Sequence, residues 1–222
     1  MIFSATDTIQ LVMFIISLSV FVLNPDTLIL KYYPVYFLGG LALSMYQEFT
    51  SNRGIYNTGV VNAYNIADFS FVYLVLREFI DNIKIRRIIL FAITIFAPFA
   101  IIDLICIQKK VGFNPFNFTI ECLITVILCI CYFVELFQKE ESPSLSELPA
   151  FWITSAIFFN TILTFPMFGL ISFIQELTKL NQRSSGINFN NVSAIYNIII
   201  ILTYALYSIG FLCRIRIRKS SL

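Results

Sequence analysis

The sequence predicts an all-α fold: a polytopic membrane helix bundle of about seven transmembrane helices, with its N-terminus outside and its C-terminus in the cytoplasm. Three observations carry this expectation. The first is composition. Hydrophobic residues make up 58% of the 222 residues and charged ones only 13%, and the mean hydropathy is +0.83. A water-soluble domain carries about a quarter charged residues, so the solvent this chain is built for is lipid. The second is a series of apolar runs, each long enough at ~1.5 Å per residue to cross ~30 Å of hydrocarbon. The third is the distribution of Lys and Arg along the connections between those runs.

The runs lie near 3–23, 31–49, 60–80, 86–107, 114–138, 149–174 and 191–213 within one transmembrane domain spanning 1–222. The first has no Lys or Arg ahead of it, unlike a secretory signal, and reads as a helix whose start is translocated. Its Asp7 and short apolar length make it the weakest of the seven. Turn and solvation residues separate the runs: Asn24-Pro25-Asp26, Thr50 to Gly54, Asp81-Asn82, Gln108-Lys109-Lys110, Lys139 to Pro143, and Asn181 to Gly186. No connection is long enough to fold alone, so function is expected inside the bundle or through a partner.

With the N-terminus outside, ten of the 15 Lys and Arg fall on the cytoplasmic side, including the two densest groups, Lys84/Arg86/Arg87 and Arg214 to Lys219. The latter also suits contact with anionic headgroups. Aromatic residues match these edges as interfacial belts, with Tyr32, Tyr33, Tyr36, Phe151 and Trp152 at inner ends and Phe113, Phe116 and Phe118 at an outer end. Pro98 and Pro166 fall inside their runs and are expected to bend helices four and six. Gly39, Gly40 and Ser44 give helix two a small-residue face for close helix contact, or for docking in a larger complex.

Composition also excludes chemistry. The chain has no histidine, which removes His-ligated zinc, Ser-His and Cys-His pairs and the usual neutral-pH proton shuttle. A net charge of +2 rules out nucleic-acid binding driven by bulk charge. Cys106, Cys122, Cys129, Cys131 and Cys213 show no metal or disulfide spacing and read as small hydrophobes. The last run holds no lysine for a retinal Schiff base, and Asp68 and Asp103 are the sole candidates for an intramembrane aspartyl dyad. Enzymatic activity and a bound cofactor are not expected. Asn117-Phe118-Thr119 and Asn191-Val192-Ser193 match the N-glycosylation pattern but lie too near the membrane to be modified.

Ionisable groups within lipid are expensive, so each faces the interior, pairs, or serves a function. Asp68 is expected roughly 12 Å, Glu121 roughly 10 Å and Asp103 about 6 Å inside the outer ends of their helices. Glu48 caps the outer end of helix two, and Tyr64, Asn65, Asn160 and Asn197 lie at similar or deeper levels. No Lys or Arg shares that layer. Either these acids converge on an outward vestibule for a cation, amine, metal ion or proton, or each is neutral or hydrogen-bonded locally and they never meet. The residues name no particular metal. At the inner end, Arg77 and Glu135 are expected to form an interhelical ion pair.

The stretch Tyr132 to Phe137, the Leu148-Pro149-Ala150-Phe151-Trp152-Ile153 start of helix six and the Tyr64-Asn65-Ile66-Ala67-Asp68-Phe69 entry to helix three resemble short bacterial seven-helix membrane proteins similar to the membrane input modules of sensor histidine kinases. The likeness runs loosely over helices three to seven, and those proteins commonly place Glu at the position of Asp68. It implies a sensor or accessory protein of the bacterial inner membrane. Its signal would pass to a separate kinase-like or other membrane partner, with Pro98 and Pro166 as the bends that let helices shift. A small cation or amine transporter or channel is the second reading, and a structural subunit of a membrane complex the third. Self-association stays open.

Overall fold

The computed structural model describes residues 5–23, 29–55, 58–103, 115–139, 144–181 and 189–220, and among these described residues it has seven α-helices. They are α1 (Ala5–Leu23), α2 (Tyr33–Ser51), α3 (Thr58–Phe79), α4 (Ile83–Ile102), α5 (Pro115–Phe137), α6 (Pro149–Asn181) and α7 (Phe189–Ser220), with 3-10 turns at Ile29–Tyr32 and Leu145–Glu147. No strand occurs among the described residues. Cys106, Lys109, Lys110, Phe113, the side chains of Phe116 and Asn191, and much of the Asn24, Lys139 and Asn181 breaks lie outside the described residues.

Among the described residues, five helices carry stretches long and apolar enough to cross a membrane: Gly59–Phe79, Ile83–Ile102, Asn117–Phe137, Pro149–Met167 and Ala194–Arg214. The apolar part of α1, Thr6–Val22, is shorter, and α2 is not among the five. Large apolar side chains such as Val22, Phe91, Ile102, Leu123 and Ile198 point outward. A continuous apolar exterior of that kind belongs against lipid, and the chain is a multi-pass membrane protein at this level of description.

The helices pack as a ring. α1 lies against α2 and α7, α7 against α6, α6 against α5, and α5 against α3, which meets α2 and closes the circle, while α4 flanks α3. The core follows from facing side chains: Tyr73 and Leu76 of α3, Ile80 just after it, Ile89 and Ala100 of α4, Cys129 of α5, Ile153 and Ala156 of α6 and Phe211 of α7 are sealed from solvent. Several hydroxyls inside the spans bond to carbonyls of the preceding turn, as Ser70 does to Ile66 (2.8 Å) and Thr94 to Leu90 (2.7 Å). That is how lipid tolerates them. Pro98 and Pro166 stand inside α4 and α6.

The small-residue face of α2 is occupied within the chain. Ser44 donates to the Asp7 carboxylate of α1, and a Cβ on Gly40 would come 3.1 Å from the Tyr64 hydroxyl of α3. Asp7 is thereby buried inside the bundle and ties α1 to its neighbour. The turn leaving α2 places Gly54 at φ 65, a left-handed conformation that suits glycine.

Two expectations about side chains near the start of α2 and the α3–α4 joint are corrected. Tyr33 and Tyr36 do not stand in an interfacial belt as Tyr32 does. Tyr33 is sealed among Phe37, Phe71, Tyr207 and Phe211 at ring distances of 5.2 to 5.8 Å, and Tyr36 stacks on Phe71. An aromatic core between α2, α3 and α7 outcompetes the interface for them. Trp152 keeps the amphipathic role, its indole N–H donating to the Ser146 carbonyl at 3.0 Å.

The Arg77 to Glu135 ion pair is not formed. Arg77 bonds its neighbour Glu78 at 3.0 Å, and Arg86 reaches the same carboxylate at 3.7 Å. The Glu135 oxygens instead accept the backbone N–H groups of Asp81 (2.8 Å) and Asn82 (3.4 Å). The reason is local: the break between α3 and α4 leaves N–H groups without helical acceptors, and a carboxylate from α5 supplies them. Lys139 bonds Asp81 at the same joint, and that contact holds its ammonium above the usual lysine range.

Replacing Glu135 by alanine is expected to lower the thermal midpoint by about 2–4 °C, matching ~1 kcal/mol for donors that water can partly re-solvate. Glutamine, which keeps one acceptor, is expected to recover about half of that loss. Melting of the two variants in detergent checks this, and an alanine variant that melts like the parent refutes it.

Candidate functional site

The helices surrounding the gap between α3, α5 and α6 leave a cavity of about 90 Å³. A water needs ~10–15 Å³ of such space, so the cavity holds several waters or one small ligand. Its wall joins Asp68 of α3, Glu121 and Thr125 of α5, and Asn160, Thr161 and Thr164 of α6, with Tyr36 of α2 and Tyr207 of α7 closing the inner side. Phe69, Val72, Phe118, Cys122 and Ile157 complete it. No Lys or Arg is among these residues.

Each polar group arrives for a local reason. Asp68 lies midway along α3, within hydrogen-bonding reach of Tyr36. Glu121 lies in the second turn of α5, where one helical turn later Thr125 presents the same face. Asn160, Thr161 and Thr164 share one face of α6 at three- and four-residue spacing. The hydroxyl of Thr203 on α7 donates to the Asn160 side-chain oxygen at 3.4 Å, which turns that amide inward.

Glu121 is the most exceptional of these residues. It is only 8% exposed, no hydrogen bond or ion pair reaches its carboxylate among the described residues, and it lines the cavity. It also borders a second, smaller cavity of about 20 Å³ lined by Asn62, Asn65, Ile66, Ala100, Asn117 and Phe118. Asn62 and Asn117 sit near the starts of α3 and α5, and Ala100 near the end of α4. A chain of polar groups thus leads from that end of the bundle through Glu121 to Asp68.

The structure sorts the expected site residues. Asp68, Glu121 and Asn160 come together on one cavity, and Asn65 lines the smaller one. Asp103 does not join them: its carboxylate accepts the Asn117 side-chain N–H at 3.0 Å, because both end up buried where α4 and α5 approach. The same bond places Asn117 inside the protein, out of reach of glycosylation. Tyr64 packs over Gly39 and Gly40. Glu48, at the last turn of α2, and Asn197 of α7 are not part of either wall.

Three threonines, Tyr36 and Tyr207 were not among the expected site residues. A signal for the threonines existed: Thr125 follows Glu121 by one turn, and Thr161 and Thr164 flank Asn160 at helical spacing. Phe118, expected at the outer belt, is turned inward against both cavities. Cys122, Cys129 and Cys131 are free thiols, with Cys122 and Cys129 buried as small hydrophobes, and the Cys213 thiol donates to the Ser146 carbonyl at 3.2 Å.

No family model matches this chain, and neither does any curated protein or any solved structure.

Proposed function

We propose that this protein is a seven-crossing protein of a bacterial inner membrane, with its N-terminus outside, that admits a cation to the Asp68 and Glu121 cavity and relays its occupancy to a separate partner protein. The observation that carries the reading is the convergence of two carboxylates from different helices on one cavity whose wall has no basic residue. In low dielectric, unpaired acids gain most from a cationic partner. The crossing of α1 and α2 is supported by their places in the ring, flanked by α7 and α3. Orientation rests on the Lys and Arg balance, under which the starts of α3 and α5, and with them the smaller cavity, face outward.

The sensor or accessory role rests on the resemblance to kinase input modules and on a site whose wall draws on five helices at once. A ligand bridging α3, α5 and α6 biases their relative positions only if it binds one arrangement better than another. A catalytic role is not proposed, because the wall offers no nucleophile paired with a base. A scaffold role is less favoured, since the small face of α2 is already filled by α1 and α3.

Thermal shift of the detergent-solubilised protein over a panel of metal ions, alkali cations and protonated amines tests the proposal, with Asp68→Asn alongside. Stabilisation by at least one cation, lost in Asp68→Asn, is expected; about 100-fold excess over Kd raises stability by ~2.7 kcal/mol. An unresponsive protein in every condition overturns it. The path past Glu121 between the two cavities favours transport as the second reading, and uptake of the stabilising cation into proteoliposomes would select it.

A further inference from the structure

We infer that the ligand of this cavity is a small primary alkylammonium ion, and that the threonines of its wall select it through its N–H donors. This rests on the cation site proposed above and specifies its ligand class. The starting point is the state of the hydroxyls. Thr125 donates to the Glu121 carbonyl at 2.7 Å, Thr161 to the Ile157 carbonyl at 2.8 Å and Thr164 to the Asn160 carbonyl at 2.6 Å. A hydroxyl has one proton. With that proton given to the helix, each threonine has only oxygen lone pairs left to offer the cavity.

The carboxylates complete an acceptor-rich wall. Asp68 and Glu121, when ionised, accept and do not donate. Glu121 is the independent pointer to a ligand, being over nine-tenths buried, without a hydrogen-bond or ion-pair partner among the described residues, and part of the cavity wall. Two acids and three hydroxyl oxygens facing one volume ask for an occupant with several donors and a positive charge. A primary ammonium has three N–H groups and such a charge.

The remainder of the wall favours carbon over a bare metal ion. Phe69, Val72, Phe118 and Ile157 give apolar surface on which an alkyl chain rests, and Tyr36 and Tyr207 add aromatic side chains, a type that suits a cation, to the same wall. Hard divalent ions require six or more oxygen ligands at ~2.0–2.6 Å. Among the described residues no group of three or more His, Cys, Asp or Glu is placed to hold a metal ion. The volume of about 90 Å³ also exceeds what a single dehydrated ion fills.

Isothermal titration of the full-length, detergent-solubilised protein in amine-free phosphate buffer tests this, using ethylammonium, propylammonium, tetramethylammonium, propanol, potassium and manganese(II). The primary ammonium ions are expected to bind at least about tenfold more tightly than tetramethylammonium, which has the charge but no N–H. Propanol is expected not to bind. The isosteric double variant Thr125→Val, Thr161→Val is expected to lose about tenfold in propylammonium affinity. If that variant does not fold, the comparison of ligands on the parent protein decides alone.

Equal affinity for tetramethylammonium overturns the role of the acceptor wall and with it this inference. Tighter binding of potassium or manganese than of any amine overturns the ligand class while leaving the cation site standing. Binding of none of the cations overturns both.

Discussion

Glu121→Gln is expected to raise the thermal midpoint of the unliganded protein by about 2–6 °C while removing its stabilisation by cations. The two effects have one origin. A carboxylate that is 8% exposed and has no hydrogen-bond or ion-pair partner among the described residues is an expense of the empty state that a ligand would relieve. Glutamine keeps the shape, removes the charge and adds N–H donors that the Thr125 and Asp68 oxygens can accept. Relief of one unsatisfied buried group amounts to ~1–2 kcal/mol, which in a chain of this size is a shift of that order. Melting with and without the cation that stabilises the parent measures both effects. A variant that melts several degrees below the parent would show Glu121 to be a structural carboxyl, and the cavity would lose its central residue.

The high cost of a buried carboxylate also governs what of this site is legible in the sequence. Asp68 and Glu121 stood out because an ionisable side chain among apolar residues is improbable without a role. Their convergence was a matter of helix rotation, which depends on packing. Asp103 looks equivalent in the sequence, as another acid within the same half of an apolar run, yet it accepts from Asn117. Tyr36 looks like an interfacial anchor, yet the aromatic core around Tyr33, Phe71 and Phe211 draws it inward to Asp68. Thr125, Thr161 and Thr164 read as ordinary span residues because their backbone bonds make them inconspicuous in lipid.

The helices themselves were more legible, since a run of apolar residues bounded by Asn, Asp, Gly and Pro leaves few alternatives. The starts of α5 and α6 and the ends of α2 and α3 fall within a few residues of the expected limits. α6 and α7 run further, to Asn181 and to Ser220. There the hydropathy signal stops where Gln175, Glu176 and Arg214 begin, but helix propensity does not, because Glu, Gln, Lys, Leu and Arg all favour helix. Hydropathy marks what lipid accepts, and it underestimates a helix that continues past it.

Gly210→Leu is expected to lower the thermal midpoint by more than about 5 °C, from ~2–3 kcal/mol of overpacking, and to weaken cation binding with it. Gly210 lies where α7 crosses the start of α6. A Cβ there would stand 3.0 Å from Ile153 Cγ1, 3.2 Å from the Pro149 carbonyl oxygen and 3.3 Å from Trp152 Cβ. One of these is backbone, and Trp152 is held by its bond to Ser146, so the neighbours have little room to give. Close approach through a small residue is how helices associate in lipid. Gly210→Ala is expected to lose less, because alanine returns up to ~1 kcal/mol of helix propensity. Gly59→Ala, with nothing within 4 Å of its new Cβ, is expected to be neutral or stabilising. Tyr207 lies one turn before Gly210 on α7 and closes the cavity opposite Asn160 of α6, so a leucine that pushes α7 outward carries Tyr207 away from the bound cation. A Gly210→Leu variant that melts and binds like the parent would mean that the α6–α7 contact has slack, and that the cavity is set by α3 and α5 alone.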